Sequence, residues 1–377
     1  MDFSNLDAFL SFLERERGKA GTDCAVYMDG KQVYRRMNGW ADIEHQIPIS
    51  DKTLYRMFSM TKPITCLAMM QLYEQGKFLL TDPVKVYLPE FTTMQVAHRQ
   101  PSAPADITMR QLFTMTSGLT YDLETAPLRE LYAKKPDFTT REFVQAVAKG
   151  QLAFNPGEKW LYSLAHDVLA AVVEVISGLK FSDYVNEHIF KPLGIKDWYF
   201  WVPQDQIARS CVRYHVENGK LTRDEGETDT MRWNMYQRSP NHESGGAGLT
   251  TTLDEYAKFA RMLTRLGVGD DGIRIVSAST LNLMRQNQLN EQQMKDFNWV
   301  QFAGYGYGLG VRTMVSPAMS GSAGSVGEYG WGGAAGTYFL SDPTTGLTVV
   351  YAQQATPNDE VYVHPRLRNI IYAAIGK

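Results

Sequence analysis

The sequence predicts a two-part fold: an α/β sheet domain built from both ends of the chain, with a mainly helical domain inserted between. Three observations carry this. Near the start, Ala25-Val26-Tyr27-Met28 and Gln32-Val33-Tyr34 are β-prone runs separated by the turn pair Asp29-Gly30, a hairpin signal. Near the end, Thr337-Tyr338-Phe339-Leu340 and Leu347-Thr348-Val349-Val350-Tyr351 flank Asp342-Pro343-Thr344-Thr345-Gly346, a second strand pair. Between the two, apolar residues recur mostly at helical spacing. The predicted boundaries are 1–58 with 300–377 for the sheet domain and 59–299 for the helical domain.

The elements follow in order. Leu6, Phe9, Leu10 and Leu13 share one face of a first amphipathic helix. After the hairpin, helices are expected over 64–75, 109–114, 140–148, 165–177, 181–189 and 253–266. Gly304-Tyr305-Gly306-Tyr307-Gly308-Leu309-Gly310 marks a return to strand, and an apolar helix over 367–375 closes the chain.

A chain of 377 residues can bury a large core, and its 44% hydrophobic and 21% charged content is that of an ordinary globular protein. A net charge of -3 gives no electrostatic basis for binding nucleic acid or an anionic membrane. No run is long and apolar enough to span a bilayer. The opening Met1-Asp2-Phe3-Ser4 lacks a basic n-region and an apolar h-region, so the cytoplasm is the default compartment, with the periplasm left open. Cys24, Cys66 and Cys211 are widely spaced and odd in number, which fits three small buried residues and neither a disulfide framework nor a zinc site. No metal or cofactor is called for, and the expected partner is a small molecule.

The chemistry narrows by elimination. HExxH, CxxC, the Walker loop, GxGxxG and GxSxG are all missing. Ser-x-x-Lys occurs twice. Ser177-Gly178-Leu179-Lys180 ends a helical run at a glycine stop. Ser59-Met60-Thr61-Lys62 instead opens a helix, because Pro63 is tolerated only near a helix start. Residues three apart share a helix face, so the Lys62 ammonium can reach the Ser59 hydroxyl, and the helix N-terminus favours negative charge there. The tetrapeptide alone fits an N-cap serine beside a solvated lysine better than a catalytic pair. Two further segments add weight: Asn155-Pro156-Gly157 leading to Tyr162-Ser163 before a long helix, and Gly330-Trp331-Gly332-Gly333-Ala334-Ala335-Gly336 beside a strand, where glycines let backbone approach a ligand.

Ser59-Met60-Thr61-Lys62-Pro63, Leu112-Phe113-Thr114-Met115-Thr116-Ser117-Gly118-Leu119, Pro156-Gly157 with Tyr162-Ser163, Ser244-Gly245-Gly246-Ala247-Gly248-Leu249 and Trp331-Gly332-Gly333 together resemble the serial motifs of class C β-lactamase-like serine hydrolases. Within them the chain is most similar to the family VIII carboxylesterases. The resemblance implies a β-lactamase/penicillin-binding-protein-like antiparallel sheet flanked by helices. It implies Ser59 as acyl-accepting nucleophile, Lys62 as its polarising partner and Tyr162 as general base and acid. It also implies an oxyanion hole from the Ser59 and Ala334 N–H groups, and a pocket role for Tyr121.

Two departures bear on the substrate. β-Lactamases of this fold usually carry Asn two residues after the tyrosine, where this chain has Leu164. They also carry Lys-Thr-Gly on the final strand, where this chain reads Trp331-Gly332-Gly333. A site walled by Trp331 and Leu164 suits an apolar acyl or alcohol group. The expectation is a carboxylesterase acting on short-chain esters; the alternative is an acyltransferase, or a β-lactamase or D-amino-acid peptidase with the same nucleophile. Loops over 101–106 and 225–243, the latter with Trp233, Met235 and Tyr236, are expected pocket walls.

Overall fold

The predicted hairpin forms, with Asp29 (φ 50°) and Gly30 (φ 81°) both in the left-handed region that such a tight turn requires. The computed structural model describes residues 1–97, 106–224 and 239–376. Trp233, Met235 and Tyr236, with most of the two loops expected as pocket walls, lie outside the described residues.

The hairpin strands are β1 (Gly21–Met28) and β2 (Lys31–Asp42), followed by the short β3 (Ile47–Pro48). The C-terminal part supplies β4 (Tyr305–Tyr307), β5 (Arg312–Met314), β6 (Tyr329–Gly332), β7 (Tyr338–Asp342) and β8 (Leu347–Ala352). They form one eight-stranded sheet in the order β3-β2-β1-β8-β7-β6-β5-β4. Every neighbouring pair is antiparallel, and β1 joins β8 with Ala25 opposite Val350, so the two chain ends are zipped together at the centre.

Alternation along the strands makes two cores. Cys24, Val26 and Met28, with Leu347, Val349 and Tyr351, pack against Leu6, Leu10 and Leu13 of helix α1 (Ser4–Arg17). Val363, Leu367 and Ile371 of the last helix join them. Ala25, Tyr27, Phe339 and Val350 face the opposite side and enter a larger core shared with the helical segment. Three helices of that segment matter for the site: α2 (Thr61–Glu74), α3 (Ala165–Ser177) and α4 (Leu253–Thr264). α2 and α3 pack together, while α4 lies across β1, β7 and β8.

The last helix, α5 (Glu360–Ile375), begins well before residue 367. Pro365 sits inside it. A proline removes one backbone donor and so reads as a boundary; burial of Val363, His364 and Leu367 outweighs that loss here. All three cysteines are free and buried. Among the described residues, no helix is long and apolar enough to cross a membrane, and no group of three or more His, Cys, Asp or Glu could hold a metal ion.

Candidate active site

Ser59 lies in a 3-10 turn, Phe58–Met60, that runs directly into α2. The preceding residue, Phe58, has φ 46°, which a bulky side chain adopts only under constraint. The constraint comes from both sides. Thr61 Oγ1 donates to Phe58 O at 2.7 Å and accepts from the Leu249 N–H at 3.0 Å, while the Met57 N–H donates to Leu249 O at 2.9 Å. The segment 244–249 therefore buttresses the serine turn.

Lys62 is completely buried one helical step further on. Its Nζ donates to Ser59 Oγ at 3.2 Å and to Gly246 O at 2.8 Å. It also sits 4.5 Å from the centroid of the Tyr162 ring and 5.3 Å from that of Tyr121, distances at which a ring face attracts a cation.

Tyr162 arrives from the loop before α3, with its Oη 2.7 Å from Ser59 Oγ. Ser59 Oγ thus touches Lys62 Nζ and Tyr162 Oη together, across sequence separations of 3 and 103. The Trp331 Nε1–H reaches the same Tyr162 oxygen at 3.4 Å. Tyr121 stacks on Tyr162 (centroids 5.4 Å, planes 7° apart), and Trp331 stacks at 5.9 Å. Burial of this kind strengthens every dipole around the reacting oxygen.

β6 ends beside the serine turn. A Cβ on Gly333 would lie 2.4 Å from Met57 O and 2.1 Å from Thr337 Oγ1, so only glycine lets this strand end come so close. Thr337 Oγ1 donates to Met57 O at 3.2 Å and ties the two segments. The Gly333 N–H bonds to Thr337 O (2.7 Å) and the Gly336 N–H to Gly333 O (2.9 Å), closing a turn with Ala334 at its exposed tip.

Ser59, Tyr162, Trp331, Gly332, Gly333 and Ala334 line one cavity of about 230 Å³. Leu164 and Tyr121 are not among its lining residues. Leu164 is buried in the core under the site, with its N–H on Thr120 O, and Tyr121 backs the Tyr162 ring. The cavity also brings in residues that the sequence did not single out: Trp299, Gln301, Phe302, Arg312, Asn358 and Glu360. Trp299 stacks on Phe302, and Phe302 on Trp331, which continues an aromatic wall. Arg312, on β5, lies over the Tyr305 and Tyr338 rings. Burial pushes the Glu360 carboxyl up from its ordinary value and Arg312 pulls it back; Gln301 Nε2 donates to Glu360 at 2.9 Å. A lone arginine between Val311 and Thr313 in a strand-like run was the one available signal for this polar end.

The second Ser-x-x-Lys copy is a helix end. Gly178 terminates α3 with φ 74°, and Ser177 Oγ donates back to Val173 O. His166, His242 and His364 are buried among packed side chains, each pushed down to about 3, above all by burial. The geometry offers a hydroxyl nucleophile held between an ammonium and a phenol, beside a glycine-rich turn, at the base of an aromatic cleft. That arrangement can take a proton from a serine and pass it to a leaving group.

The family described as Beta-lactamase matches residues 6–373. Protein Rv1367c of Mycobacterium tuberculosis is 32% identical over 358 residues, covering 90% of this chain and 86% of its own. Esterase EstB of Burkholderia gladioli is 30% identical over 364 residues, covering 92% and 89%. Among solved structures, EstCE1, described as a hydrolase with promiscuous acyltransferase activity, matches with a TM-score of 0.83 over 97% of both chains. At 24% identity that likeness speaks for the fold alone.

Proposed function

The chain belongs to the Beta-lactamase family, and from that premise we propose that it is a serine hydrolase that cleaves short-chain carboxylic esters through an acyl-Ser59 intermediate. The observation that carries the reading is the double contact at Ser59 Oγ, with Lys62 Nζ at 3.2 Å and Tyr162 Oη at 2.7 Å, at the base of a cleft walled by aromatic rings.

Ser59 Oγ attacks the ester carbonyl carbon while its proton passes to Tyr162 Oη. The Lys62 ammonium, 3.2 Å from Ser59 Oγ and 4.5 Å from the centroid of the Tyr162 ring, offsets the negative charge that develops as the proton moves. The carbonyl oxygen, now negative, is met by the Ser59 and Ala334 N–H groups. Tyr162 then gives the proton to the departing alkoxide oxygen, and the C–O bond to the alcohol breaks. Water enters, loses a proton to Tyr162 and attacks the acyl carbon; the Ser59 oxygen leaves and recovers the proton from Tyr162.

An esterase reading fits the cleft better than a β-lactamase reading. Trp331 stands where the resemblance places a lysine, and among the described residues that line this cavity Arg312 is the one cation and shares it with Glu360. From these residues a substrate carboxylate meets little net positive charge. A hydrogen bond to a charged group is worth about 1.5–3 kcal/mol, or roughly tenfold to a hundredfold in rate. A neutral butyrate ester needs no such contact and gains about 0.8 kcal/mol per CH₂ buried against the rings. The test has two arms. A fluorophosphonate probe should label Ser59 and no other serine, and p-nitrophenyl acetate or butyrate should turn over with a much higher kcat/KM than nitrocefin or benzylpenicillin. Label on Ser163 or Ser177 would sink the nucleophile assignment; a β-lactam rate at or above the short-ester rate would sink the esterase assignment alone.

A further inference from the structure

Lys62 is an ammonium with no exposure, and among the described residues no carboxylate touches it. Buried charges are normally paired. The side chain two residues past the tyrosine is Leu164, which has no polar atom to offer. The closest polar partner of Lys62 is the Gly246 carbonyl, at 2.8 Å.

Behind that carbonyl stands Asp167, buried in the first turn of α3. Its Oδ1 accepts from Ser244 Oγ at 2.5 Å and from the Gly246 N–H at 3.2 Å. Gly246 is therefore pinned from both sides, with its N–H on Asp167 and its carbonyl on Lys62. Thr65 Oγ1 donates to Gly245 O at 2.7 Å, and Ser244 Oγ accepts the Ala247 N–H at 3.0 Å, so the whole tight segment is held. The fit is close: a Cβ on Gly246 would lie 2.5 Å from Asp167 Oδ2. Among the described residues that second oxygen has no hydrogen-bond partner. A carboxylate buried with one oxygen unused is an expensive way to anchor a loop, and an amide or apolar residue would do it at lower cost. Its retention next to a buried ammonium calls for an electrostatic reason.

We propose that Asp167 is a positioning residue for Lys62: through Ser244 and Gly246 it aims the Gly246 carbonyl at the ammonium, and its carboxylate is the charge behind that carbonyl that attracts the ammonium toward its place beside Ser59 and Tyr162. This rests on the acyl-Ser59 reading given above. The titratable groups facing the cluster are Tyr121 and Tyr162 from their loops, Cys66 on α2, His166 on α3 and Tyr307 on β4. Burial keeps the His166 ring neutral and pushes the Cys66 thiol and Tyr307 phenol well up. Burial also raises the Asp167 carboxyl, and Ser244, Lys62 and the Gly246 N–H pull it back.

Asp167→Asn keeps the shape and an acceptor oxygen while removing the charge. The expected result is a kcat for p-nitrophenyl butyrate lowered by about tenfold to a hundredfold, the scale of a perturbed acid–base group, with KM within about twofold. Fluorophosphonate labelling of Ser59 should slow in proportion. The acid limb of the kcat–pH profile should move to lower pH by roughly one unit, because the Lys62–Tyr162 pair gives up its proton more easily once the negative charge is gone. A carboxylate that merely braces the loop would leave that limb in place. A folded Asp167→Asn enzyme with wild-type kcat, or with reduced kcat and an unmoved acid limb, overturns the inference. Should that variant fail to fold, Ser244→Ala loosens the same hold while keeping the charge; it should lower kcat with KM unchanged, and an unchanged kcat overturns the inference equally. A wild-type protein that neither labels nor turns over an ester removes the hydrolase reading and this inference with it, whereas an active wild type with an indifferent variant removes this inference alone.

Discussion

Gly333→Ala isolates the contact between β6 and the serine turn. The added Cβ would sit 2.4 Å from the Met57 carbonyl oxygen, against an ordinary contact of 3.4 Å or more, so the two backbones must part by about 1 Å. Thr337 Oγ1, at 2.1 Å, must also leave its bond to Met57 O. Neither segment gives easily: Met57 is tied to Leu249, and the Gly333 N–H to Thr337. Overpacking of this kind costs about 1–3 kcal/mol of stability, which this chain should survive. The catalytic cost is larger, because Ala334 is carried on the displaced turn. Misplacing or losing one oxyanion donor costs about a hundredfold to a thousandfold in kcat. The assay is kcat and KM for p-nitrophenyl butyrate beside a urea unfolding curve. Gly332→Ala is the comparison: its Cβ would meet nothing closer than 3.4 Å, so it should cost far less. A Gly333→Ala enzyme that is folded and within about threefold of wild type would refute the claim that this approach sets the oxyanion geometry.

Tyr162→Phe should lower kcat by about a hundredfold to ten-thousandfold, the range for a lost general acid–base group, with the fold intact; an active variant would transfer the proton-accepting role to Lys62 alone. Stability should fall in mild acid. The three buried histidines are pushed down to about 3, whereas an unfolded histidine titrates near ~6.5. Below that value the unfolded chain binds more protons than the folded one, so their contribution is complete above about pH 6.5 and is lost as pH falls toward 3, by about 2 kcal/mol per ring at pH 5. The urea midpoint should therefore drop between about pH 7 and 5, and His242→Phe, in the ring cluster of Phe138 and Phe143, should flatten the slope; a pH-independent midpoint would contradict this.

What the sequence made legible was local. Helix 140–148 was legible as an apolar run, and helix 165–177 because Gly178 must stop it. The hairpin was legible from Asp29-Gly30, and the serine turn from Pro63. Less legible was anything set by packing between distant segments. Glu360 and Asn358 reach the cleft because α5 starts before Pro365, and a proline alone argues the reverse. Leu164, two residues past Tyr162, reads as a wall yet points into the core, since Leu164 already belongs to the turn that starts α3. Asp167 looks like an ordinary first-turn carboxylate until the Ser244–Gly246 segment, far away in sequence, is folded against it.

The replacement of a lysine by Trp331 changes more than substrate charge. A second ammonium beside Tyr162 would stabilise its phenolate strongly but would also weaken it as a base, since a better-stabilised anion accepts a proton less readily. The indole N–H, at 3.4 Å from the Tyr162 oxygen, offers a neutral donor in its place. The Tyr121 and Trp331 rings stacked on Tyr162 keep the surroundings apolar. In that low-dielectric setting one ammonium carries more weight than it would in water. Among the described residues Lys62 is then the cation that touches Ser59, and its orientation rests on the Gly246 carbonyl. On the acyl-Ser59 reading, the tryptophan that favours neutral esters thus leaves the proton transfer to depend on one lysine, and on whatever holds that lysine in place.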